Sequence, residues 1–358
     1  MKSDRIWNQS SSNMRVLLVQ RAISHYRRGF YEALGKEVDL TVLHTRPTSD
    51  RSSTFCEMFT SQVDFGPVQW QRRVLGRIHR YDVAVFPFNV RSITAVAAPL
   101  LSRSVPIVYW GLGDGASPIA NRVRRLLLRR ASALILYSER ARRAYLARGV
   151  PASMLFVAPN SMLVPDTVFN GDPNRRTSFL VIGTLDARKR IDKVVRAFAE
   201  AQPELPDNIL LEVVGDGPEL SSLTQLAERL GIAPRVRFHG RMTRGPGLSA
   251  VFARALAAVS PNQAGLSVMH TAANGIPFIT RSDAITGGEI EFIVDGETGF
   301  LYTEDQDLAR IMVQLANDRR RSVTVGQQAR DHYHTRHSVR QMVDGFKAAL
   351  EYAAARGP

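Results

Sequence analysis

The sequence has little cysteine and no long apolar run. Its single cysteine, Cys56, has no partner in the chain, which excludes an internal disulfide and a metal site built from cysteines. No apolar stretch approaches the roughly 20 residues that a membrane-spanning helix needs. The first residues, Met1 to Asn13, are polar and contain no continuous apolar stretch, so we expect no secretory signal and a cytoplasmic protein.

Acidic residues are also scarce, with 33 Asp and Glu against 47 Lys and Arg, which gives a formal net charge of +14. Such a surface attracts polyanions, including nucleic acid, anionic lipid headgroups and phosphorylated substrates, and charge alone does not choose among them. Arginine concentrates between Arg72 and Arg80 and, more densely, between Arg122 and Arg148. No zinc-finger spacing and no basic motif interleaved with aromatic residues supports a nucleic-acid partner, so we predict none.

Short apolar strands alternate with helical segments along most of the chain. Arg15–Val19 followed by a helical pattern opens the first half, and Phe179–Ile182 followed by the helical pattern Ile191–Ala201 opens the second. A length of 358 residues suits two domains of roughly 150 to 180 residues each. The alternation predicts an α/β fold of two doubly wound, Rossmann-like parallel sheets that face a central cleft.

The domain boundaries follow from the same patterns. We predict a first domain over residues 14–165 and a second over residues 177–335. The stretch from Pro159 to Arg176 is rich in Pro, Asn, Asp and Gly, which indicates a connection between them. The final segment, 336–358, contains an amphipathic helix that we expect to pack back toward the first domain.

The loop after the strand Phe179–Ile182 is the first candidate ligand site, because open parallel sheets bind ligands beyond the carboxyl ends of their strands. It runs Gly183-Thr-Leu-Asp-Ala-Arg-Lys-Arg190, where glycine admits a close approach and the cations can neutralise a phosphate. Lys189 is the predicted phosphate ligand. The alternative is a merely solvated helix start, although a helix N-terminus repels cations.

The next strand-to-helix loop is Gly215-Asp-Gly-Pro218. Its glycines permit a tight turn, and Pro218 suits the first position of a helix. Taken alone, the motif is explained equally well as a structural turn.

The most informative loop runs from Ser260 to His270. Pro261 to Leu266 should form a loop, and Ser267 should open a helix whose free backbone N–H groups face an anion such as a diphosphate. His270 is expected in the first turn of that helix, within reach of a ribose hydroxyl or a phosphate oxygen. A structural role for this lone histidine is the alternative.

Together these motifs resemble glycosyltransferase family 4, a group of retaining enzymes with the GT-B fold, over most of residues 15 to 350. The motifs that carry the resemblance are the following: Gly183-Thr-Leu with Lys189, Gly215-Asp-Gly-Pro218, Asn262 to His270, Gly275-Ile-Pro277, Gly287-Gly-Glu-Ile-Glu291, Asp295-Gly-Glu-Thr-Gly-Phe300, His25-Tyr-Arg-Arg-Gly-Phe30, Trp110-Gly-Leu-Gly113, the basic helix before Ala131, and Val157-Ala-Pro-Asn160.

The resemblance implies sugar transfer from a nucleotide diphosphate donor in the C-terminal half to a glycan or lipid-linked acceptor in the N-terminal half. It implies retention of anomeric configuration, with no obligatory metal and no cofactor besides the donor substrate. The residues that it assigns to catalysis are Lys189, Asn262 and His270. Those that it assigns to the nucleotide sugar are Gly183, Thr184, Arg188, Gly215, Asp216, Gly265, Leu266, Ser267 and Glu291.

The chain also departs from the family pattern. The two glutamates that the family usually carries, separated by seven residues, are Asn262 and His270 here. Thr184 replaces a common arginine, and Leu112 replaces a histidine near the reacting sugar. A polysaccharide-synthesising branch resembles this chain in having Gly-Leu-Ser-Val-x-His at this position, which favours His270 as a variant of a working site and cell-surface polysaccharide synthesis as the role.

Other interpretations remain open at this point. The departures allow a sugar-nucleotide-binding protein of the same fold with little transferase activity. A dinucleotide dehydrogenase is disfavoured, because the first strand ends in Gln20-Arg-Ala-Ile-Ser24 and lacks the glycine-rich fingerprint. The arginines around Leu126-Leu-Leu128 predict peripheral association with the anionic inner face of the membrane, or else a solvated helix face.

Overall fold

The computed structural model describes residues 13–46, 52–115, 117–164, 171–243 and 245–358. The chain forms two compact units, one made of the residues up to Ala158 together with Val343–Pro358, the other of Pro159–Met342. The absence of a signal in residues 1–12 and the part of the predicted connection at residues 165–170 lie outside the described residues.

The first unit is built on a seven-stranded sheet in the order β3-β2-β1-β6-β7-β8-β9, and all neighbouring strands run parallel. Within the described residues its elements are β1 (Arg15–Val19), α1 (His25–Leu34), β2 (Asp39–His44), β3 (Cys56–Phe59), the antiparallel hairpin β4 (Gln62–Phe65) and β5 (Val68–Gln71), a 3-10 turn (Leu75–Arg80), β6 (Val83–Pro87), α2 (Ile93–Leu101), β7 (Ile107–Gly111), α3 (Pro118–Leu128), β8 (Ala133–Leu136), α4 (Glu139–Leu146), a 3-10 turn (Ala152–Met154) and β9 (Leu155–Val157).

Strands β6, β7 and β8 of this sheet are apolar and almost wholly buried, as expected when helices cover both faces. The last helix of the chain, α11 (Val339–Arg356), contributes to this core through Phe346. The Phe346 ring lies 4.8 Å from that of Phe30 in α1 and 4.8 Å from that of Trp110 in β7. The end of the chain is thereby fixed to the first unit.

The second unit contains a six-stranded parallel sheet in the order β12-β11-β10-β13-β15-β17. Within the described residues its elements are a 3-10 turn (Pro173–Arg175), β10 (Ser178–Ile182), a 3-10 turn (Ala187–Lys189), α5 (Ile191–Ala201), a 3-10 turn (Gln202–Glu204), β11 (Leu210–Val214), α6 (Leu220–Arg229), a 3-10 turn (Ala233–Arg235), β12 (Val236–Gly240), α7 (Pro246–Arg254), β13 (Ala255–Val259), β14 (Gln263–Ala264), α8 (Leu266–Ala273), β15 (Phe278–Arg281), β16 (Ile285–Thr286), a 3-10 turn (Glu289–Phe292), β17 (Gly299–Tyr302), α9 (Asp305–Asn317), α10 (Arg319–His332) and a π-helical turn (Tyr333–His337).

The predicted fold class of two doubly wound parallel sheets is confirmed. Strand β10 lies between β11 and β13, so the loops that follow these three strands emerge side by side at one edge of the second sheet. The three candidate loops of the sequence are those three loops. No helix in the described parts of the chain is long and apolar enough to span a bilayer.

Candidate active site

Lys189 stands in the loop between β10 and α5, and its side chain folds back over the start of that loop. A Cβ atom placed on Gly183 would lie 2.2 Å from the Lys189 ammonium nitrogen, so only glycine leaves room for this arrangement. Burial lowers the pKa of the ammonium group. Within the described residues no hydrogen bond or ion pair engages this nitrogen. A half-buried cation without a paired anion is stabilised when an anionic ligand binds beside it.

The neighbouring cations of this loop are paired. The Asp186 carboxylate accepts hydrogen bonds from the Arg188 backbone N–H at 3.1 Å and from the Arg188 guanidinium at 2.8 Å, which lowers the pKa of that carboxyl. Arg190 has a left-handed backbone with φ of 52° at the start of α5, and its guanidinium lies 3.1 Å from Asp192. Arg188, predicted as a second phosphate ligand, is therefore an exposed group already paired with Asp186, whereas Lys189 is not paired.

The second loop is held against the first by backbone bonds. The Gly183 N–H donates to the Val214 carbonyl, and the Leu185 N–H donates to the Asp216 carbonyl, each at 2.9 Å. A Cβ on Gly215 would lie 1.9 Å from the Gly183 carbonyl oxygen, so the close approach of the two loops requires glycine. The predicted residues Thr184 and Asp216 are both exposed, and the Asp216 carboxylate accepts from the Gly217 N–H at 2.8 Å. The motif is thus structural, whatever ligand role it also has.

Asn262 joins the third loop to the first. Its side-chain Nδ2 donates to the Arg188 carbonyl at 2.8 Å. The Asn262 carbonyl in turn accepts from the Ile285 N–H at 2.9 Å, next to the short pairing of β14 with β16. The amide predicted to contact a sugar hydroxyl thus holds the Lys189 loop in place with one end, and its Oδ1 end accepts nothing within the described residues.

Helix α8 begins one residue earlier than predicted, at Leu266, with Gly265 as its N-cap. The N–H groups of Leu266 and Ser267 belong to the first turn and have no partner inside the helix. His270 is the fifth residue of this eight-residue helix, so its expected place in the first turn is wrong. The error follows from the helix start, since the helix begins at Leu266 instead of Ser267 and Gly265 is its N-cap.

The His270 side chain is half-buried, and its ring meets the Phe252 ring edge-on at 4.9 Å. Burial lowers the pKa of the imidazole to about 4. The ring is therefore neutral at neutral pH, and no described residue forms a hydrogen bond with its nitrogens. A neutral imidazole can exchange a hydrogen bond with a hydroxyl but cannot neutralise a phosphate.

The sequence resemblance assigns Glu291 to the nucleotide sugar and gives no role to Glu289. Glu291 is half-exposed in the 3-10 turn Glu289–Phe292, whereas Glu289 is only 4% exposed. The Glu289 carboxylate accepts from the Gly287 N–H at 2.7 Å and from the Asn160 amide. Glu289 thereby fixes the glycine-rich turn, and the Gly-Gly pair that precedes it was the available signal for a carboxylate bonded to backbone.

In the first unit, Asp114 follows β7 directly after the motif Trp110-Gly-Leu-Gly113. Its Oδ1 accepts from the Tyr145 hydroxyl at 2.6 Å, and its Oδ2 lies 3.0 Å from the Arg148 guanidinium. A carboxylate held by two partners acts as a positioning group rather than as a free base. Leu112, which stands at a histidine position of the resemblance, is 57% exposed.

The described residues contain no group of three or more His, Cys, Asp or Glu side chains placed to hold a metal ion. The loops after β10, β11 and β13 bring together Gly183, Lys189, Gly215, Asp216 and Asn262 through the bonds described above. The catalytic and binding roles of the predicted residues remain predictions.

Comparison with known proteins matches residues 167–332 to the family described as Glycosyl transferases group 1. The chain is 32% identical over 162 residues to N-acetyl-alpha-D-glucosaminyl L-malate synthase of Bacillus anthracis, which covers 44% of this chain and 41% of that protein. It is 25% identical over 288 residues to GDP-mannose-dependent alpha-(1-6)-phosphatidylinositol monomannoside mannosyltransferase of Mycolicibacterium smegmatis, covering 71% of this chain and 72% of that protein. The matched region is thus about two fifths of the first relative's length.

Solved structures match over nearly the whole chain. The Anabaena protein HepE in complex with UDP superposes with a TM-score of 0.70 at 19% identity, covering 94% of this chain and all of that one (100%). Sucrose-phosphate synthase from Thermosynechococcus elongatus superposes with a TM-score of 0.71 at 16% identity, covering 96% of this chain and 100% of that one. At these identities the similarity shows the fold, and the predicted GT-B fold is confirmed.

Proposed function

We propose that this chain, whose residues 167–332 match the Glycosyl transferases group 1 family, is a retaining glycosyltransferase. Its donor is a nucleotide diphosphate sugar, and its acceptor is a glycan or a lipid-linked glycan. The observation that carries this proposal is the half-buried, unpaired ammonium of Lys189 at the edge where three strand-to-helix loops meet. An anion of the donor supplies the missing partner.

The leaving group explains why a fixed cation is needed. When the bond between the anomeric carbon and the diphosphate oxygen breaks, negative charge collects on the departing nucleotide diphosphate. The Lys189 ammonium is already in place, because Gly183 leaves room for it and the bonded loops hold it. The N–H groups at the start of α8 act on the same anion without a metal ion. The acceptor hydroxyl attacks the face from which the nucleotide leaves and gives its proton to the departing diphosphate oxygen, so the configuration is retained.

The neutral residues of the site contact the sugar. His270, whose pKa is lowered to about 4 by burial, is uncharged at neutral pH and binds a hydroxyl of the sugar or the ribose. The Oδ1 atom of Asn262 accepts from a second hydroxyl, while its Nδ2 atom holds the Arg188 carbonyl. These two contacts replace those of the family's glutamates without adding negative charge beside the diphosphate.

The first unit binds the acceptor, and we place the enzyme on the anionic inner face of the membrane in cell-surface polysaccharide synthesis. Leu126 supports this placement, since it is 53% exposed on α3 among arginines that are also exposed. The Mycolicibacterium relative is named for a phosphatidylinositol-linked acceptor. Binding to phosphatidylcholine vesicles mixed with phosphatidylglycerol should fall with salt and with joint neutralisation of Arg124, Arg125, Arg129 and Arg130. Equal binding to pure phosphatidylcholine vesicles would contradict it.

The proposal is tested with a panel of nucleotide diphosphate sugars and lipid-linked acceptors. We expect one donor to release its nucleoside diphosphate only when an acceptor is present, with the transferred sugar in the donor's anomeric configuration by NMR. Lys189→Ala should lose this turnover, and Lys193→Ala, which removes an equal charge one turn into α5, should keep it. Tight donor binding without turnover on any acceptor would favour a sugar-nucleotide-binding protein, and no donor binding at all would refute both.

A further inference from the structure

A cavity of about 1100 Å³ lies in the first unit, at the amino ends of its strands. Its lining includes Val105 and Ile107 where β7 begins, Ser132 directly before β8, and Met154 directly before β9. Because these strands are parallel, their carboxyl ends and the loops beyond them lie at the opposite edge of the sheet. The cavity is therefore separate from the loops to which the acceptor is assigned.

Among the described residues, seven arginines line this cavity and no Asp or Glu side chain does. The guanidinium groups of five of them form no hydrogen bond or ion pair with any described residue. These five are Arg103, Arg122, Arg125, Arg129 and Arg130. The sixth, Arg148, pairs with Asp114, and the seventh, Arg356, donates to the neutral Tyr352 hydroxyl at 2.5 Å.

Helix dipoles account for only part of this charge. The C-terminal ends of α2, α3, α4 and α11 all border the cavity, and each end carries roughly half a negative charge. Four such ends offset about two of the seven positive charges, and Asp114 offsets a third. About four charges remain, or about three when a carboxylate after Pro358 is also counted. An ordinary preference for cations at helix ends does not explain this excess.

The chemistry of the lining identifies the class of ligand. Guanidinium groups bind phosphate oxygens through two parallel N–H bonds, and several of them converging from different helix ends match several phosphate groups in one compact ligand. Apolar side chains such as Val105 and Met154 form part of the wall and reduce the competition from water. A long nucleic-acid strand does not match a depression bounded on four sides by helix ends.

We propose that this arginine cavity is a second anion site of the chain, which binds a compact ligand bearing several phosphate groups. The ligand is either a soluble polyphosphorylated compound or the headgroup of an anionic phospholipid. The site is independent of the donor site in the second unit, and the proposal does not rest on transferase activity.

Calorimetric titration of the full chain with sodium tripolyphosphate tests this site. We expect saturable binding with a component that Lys189→Ala retains, because the same probe can also enter the donor site at that lysine. The triple variant Arg125→Gln, Arg129→Gln, Arg130→Gln should raise the dissociation constant at least about tenfold. The matched control Arg72→Gln, Arg80→Gln, Arg143→Gln removes the same charge from exposed positions outside the cavity and should change it less than about twofold.

The outcomes separate the explanations. Equal losses in the triple variant and its control would show attraction to net charge alone, and loss in Lys189→Ala with retention in the triple variant would place the probe in the donor site. Either result overturns the proposal. If the triple variant fails to fold, Arg103→Gln with Arg122→Gln tests the same cavity from two other positions. Displacement of tripolyphosphate by phosphatidylcholine vesicles containing cardiolipin, whose headgroup carries two phosphates, identifies a headgroup ligand, and no displacement identifies a soluble one.

Discussion

The donor edge of the second unit and the arginine cavity of the first unit meet an anion in opposite ways. At the donor edge one half-buried ammonium, that of Lys189, has no partner in the part of the chain that the structure describes. The loop that carries it is held by backbone bonds to the next loop and by the Asn262 amide. In the cavity seven exposed arginines surround an open space, and five of them have no partner among the described residues. The first region depends on the position of one charge, and the second depends on the number of charges.

This difference predicts how each region responds to change. A charge in a partly desolvated, bonded loop interacts strongly with a ligand, and any shift of the loop removes that interaction. Exposed charges interact weakly one by one, are screened by salt, and can replace one another. Substitutions should therefore have large single effects at the donor edge and small, cumulative effects in the cavity.

The largest effect is expected from Gly215→Ala, which disturbs the scaffold of the donor edge without touching a charge. Its Cβ would lie 1.9 Å from the Gly183 carbonyl oxygen and 3.0 Å from the carbonyl carbon, so the two loops must separate. We expect the second unit to lose about 3 kcal/mol or more, measured by urea unfolding, together with nucleotide binding. Gly247→Ala, whose Cβ would meet nothing closer than 3.8 Å, is the control and should be nearly neutral. Comparable losses in both variants would refute the packing argument.

Acid should affect the second unit while leaving the cavity arginines charged. Burial, with the nearby charges of His332 and Arg336, lowers the pKa of His337 to about 4. The folded pKa is thus below the ordinary value of 6.5, so the contribution to stability is complete above pH 6.5 and is lost as pH falls toward 4. The loss is up to about 3 kcal/mol. His337→Leu should flatten the decline of melting temperature between pH 7 and pH 5, and an unchanged decline would contradict the assignment.

Lys189→Ala tests the importance of position directly. Removing the ammonium should weaken nucleoside diphosphate binding by about 1.5 to 3 kcal/mol, the range for a hydrogen bond to a charged group. The control is Lys193→Ala, which also replaces a lysine by alanine but lies in α5, outside the loop. It breaks an ion pair of the Lys193 ammonium with Asp305 at 2.6 Å. Its effect on affinity, measured by calorimetry, should be several-fold smaller. Equal affinities for wild type and Lys189→Ala would remove this lysine from the site.

His270→Ala should slow transfer by about 10- to 100-fold while leaving the fold intact, because one polar contact of roughly 1.4 to 2.7 kcal/mol is lost. His270→Gln keeps a neutral group that can donate and accept, and it should recover part of the rate. His270→Glu places a carboxylate near the diphosphate and should weaken binding by repulsion unless it faces the ribose. Full activity and nucleotide affinity in His270→Ala would make this histidine a packing residue against Phe252.

Much of the fold was accessible from local patterns. The predicted strand Arg15–Val19 and the predicted helix Ile191–Ala201 have the observed bounds, because their apolar pattern reflects burial on the sheet. Strand β3 (Cys56–Phe59) was not predicted, since it is a partly exposed edge strand without alternation. The basic helix before Ala131 is α3, and it begins at Pro118 with Ser117 as its N-cap, whose side-chain oxygen accepts from the Ala120 N–H.

In the candidate site, too, the features with local sequence signals were predicted and those that depend on long-range contacts were not. The Lys189 loop was predicted from a buried strand, a glycine and a helix start, which are all local. Its support is not local: the bond from Asn262 to Arg188 joins residues 74 positions apart, and that from Asn160 to Glu289 joins residues 129 apart. Which cation is paired and which carboxylate is buried depend on such long-range bonds, and sequence spacing does not contain them.

The smallest effect is expected from the neutralisation of a single arginine in the cavity. It tests whether binding there depends on the number of charges or on the position of one charge. Arg125→Gln removes one of several exposed charges that approach the same ligand, so its neighbours Arg122 and Arg129 take over part of the contact. We expect tripolyphosphate affinity to fall only about two- to fivefold at low salt, and less at higher salt, because exposed charges are screened. Arg130→Gln should give a similar small loss, and the double variant should lose at least the product of the two, because neither arginine can then replace the other. If either single substitution abolished binding, one arginine would hold the ligand as Lys189 is expected to hold the donor. Binding in the cavity would then depend on the position of one charge and not on the number of charges.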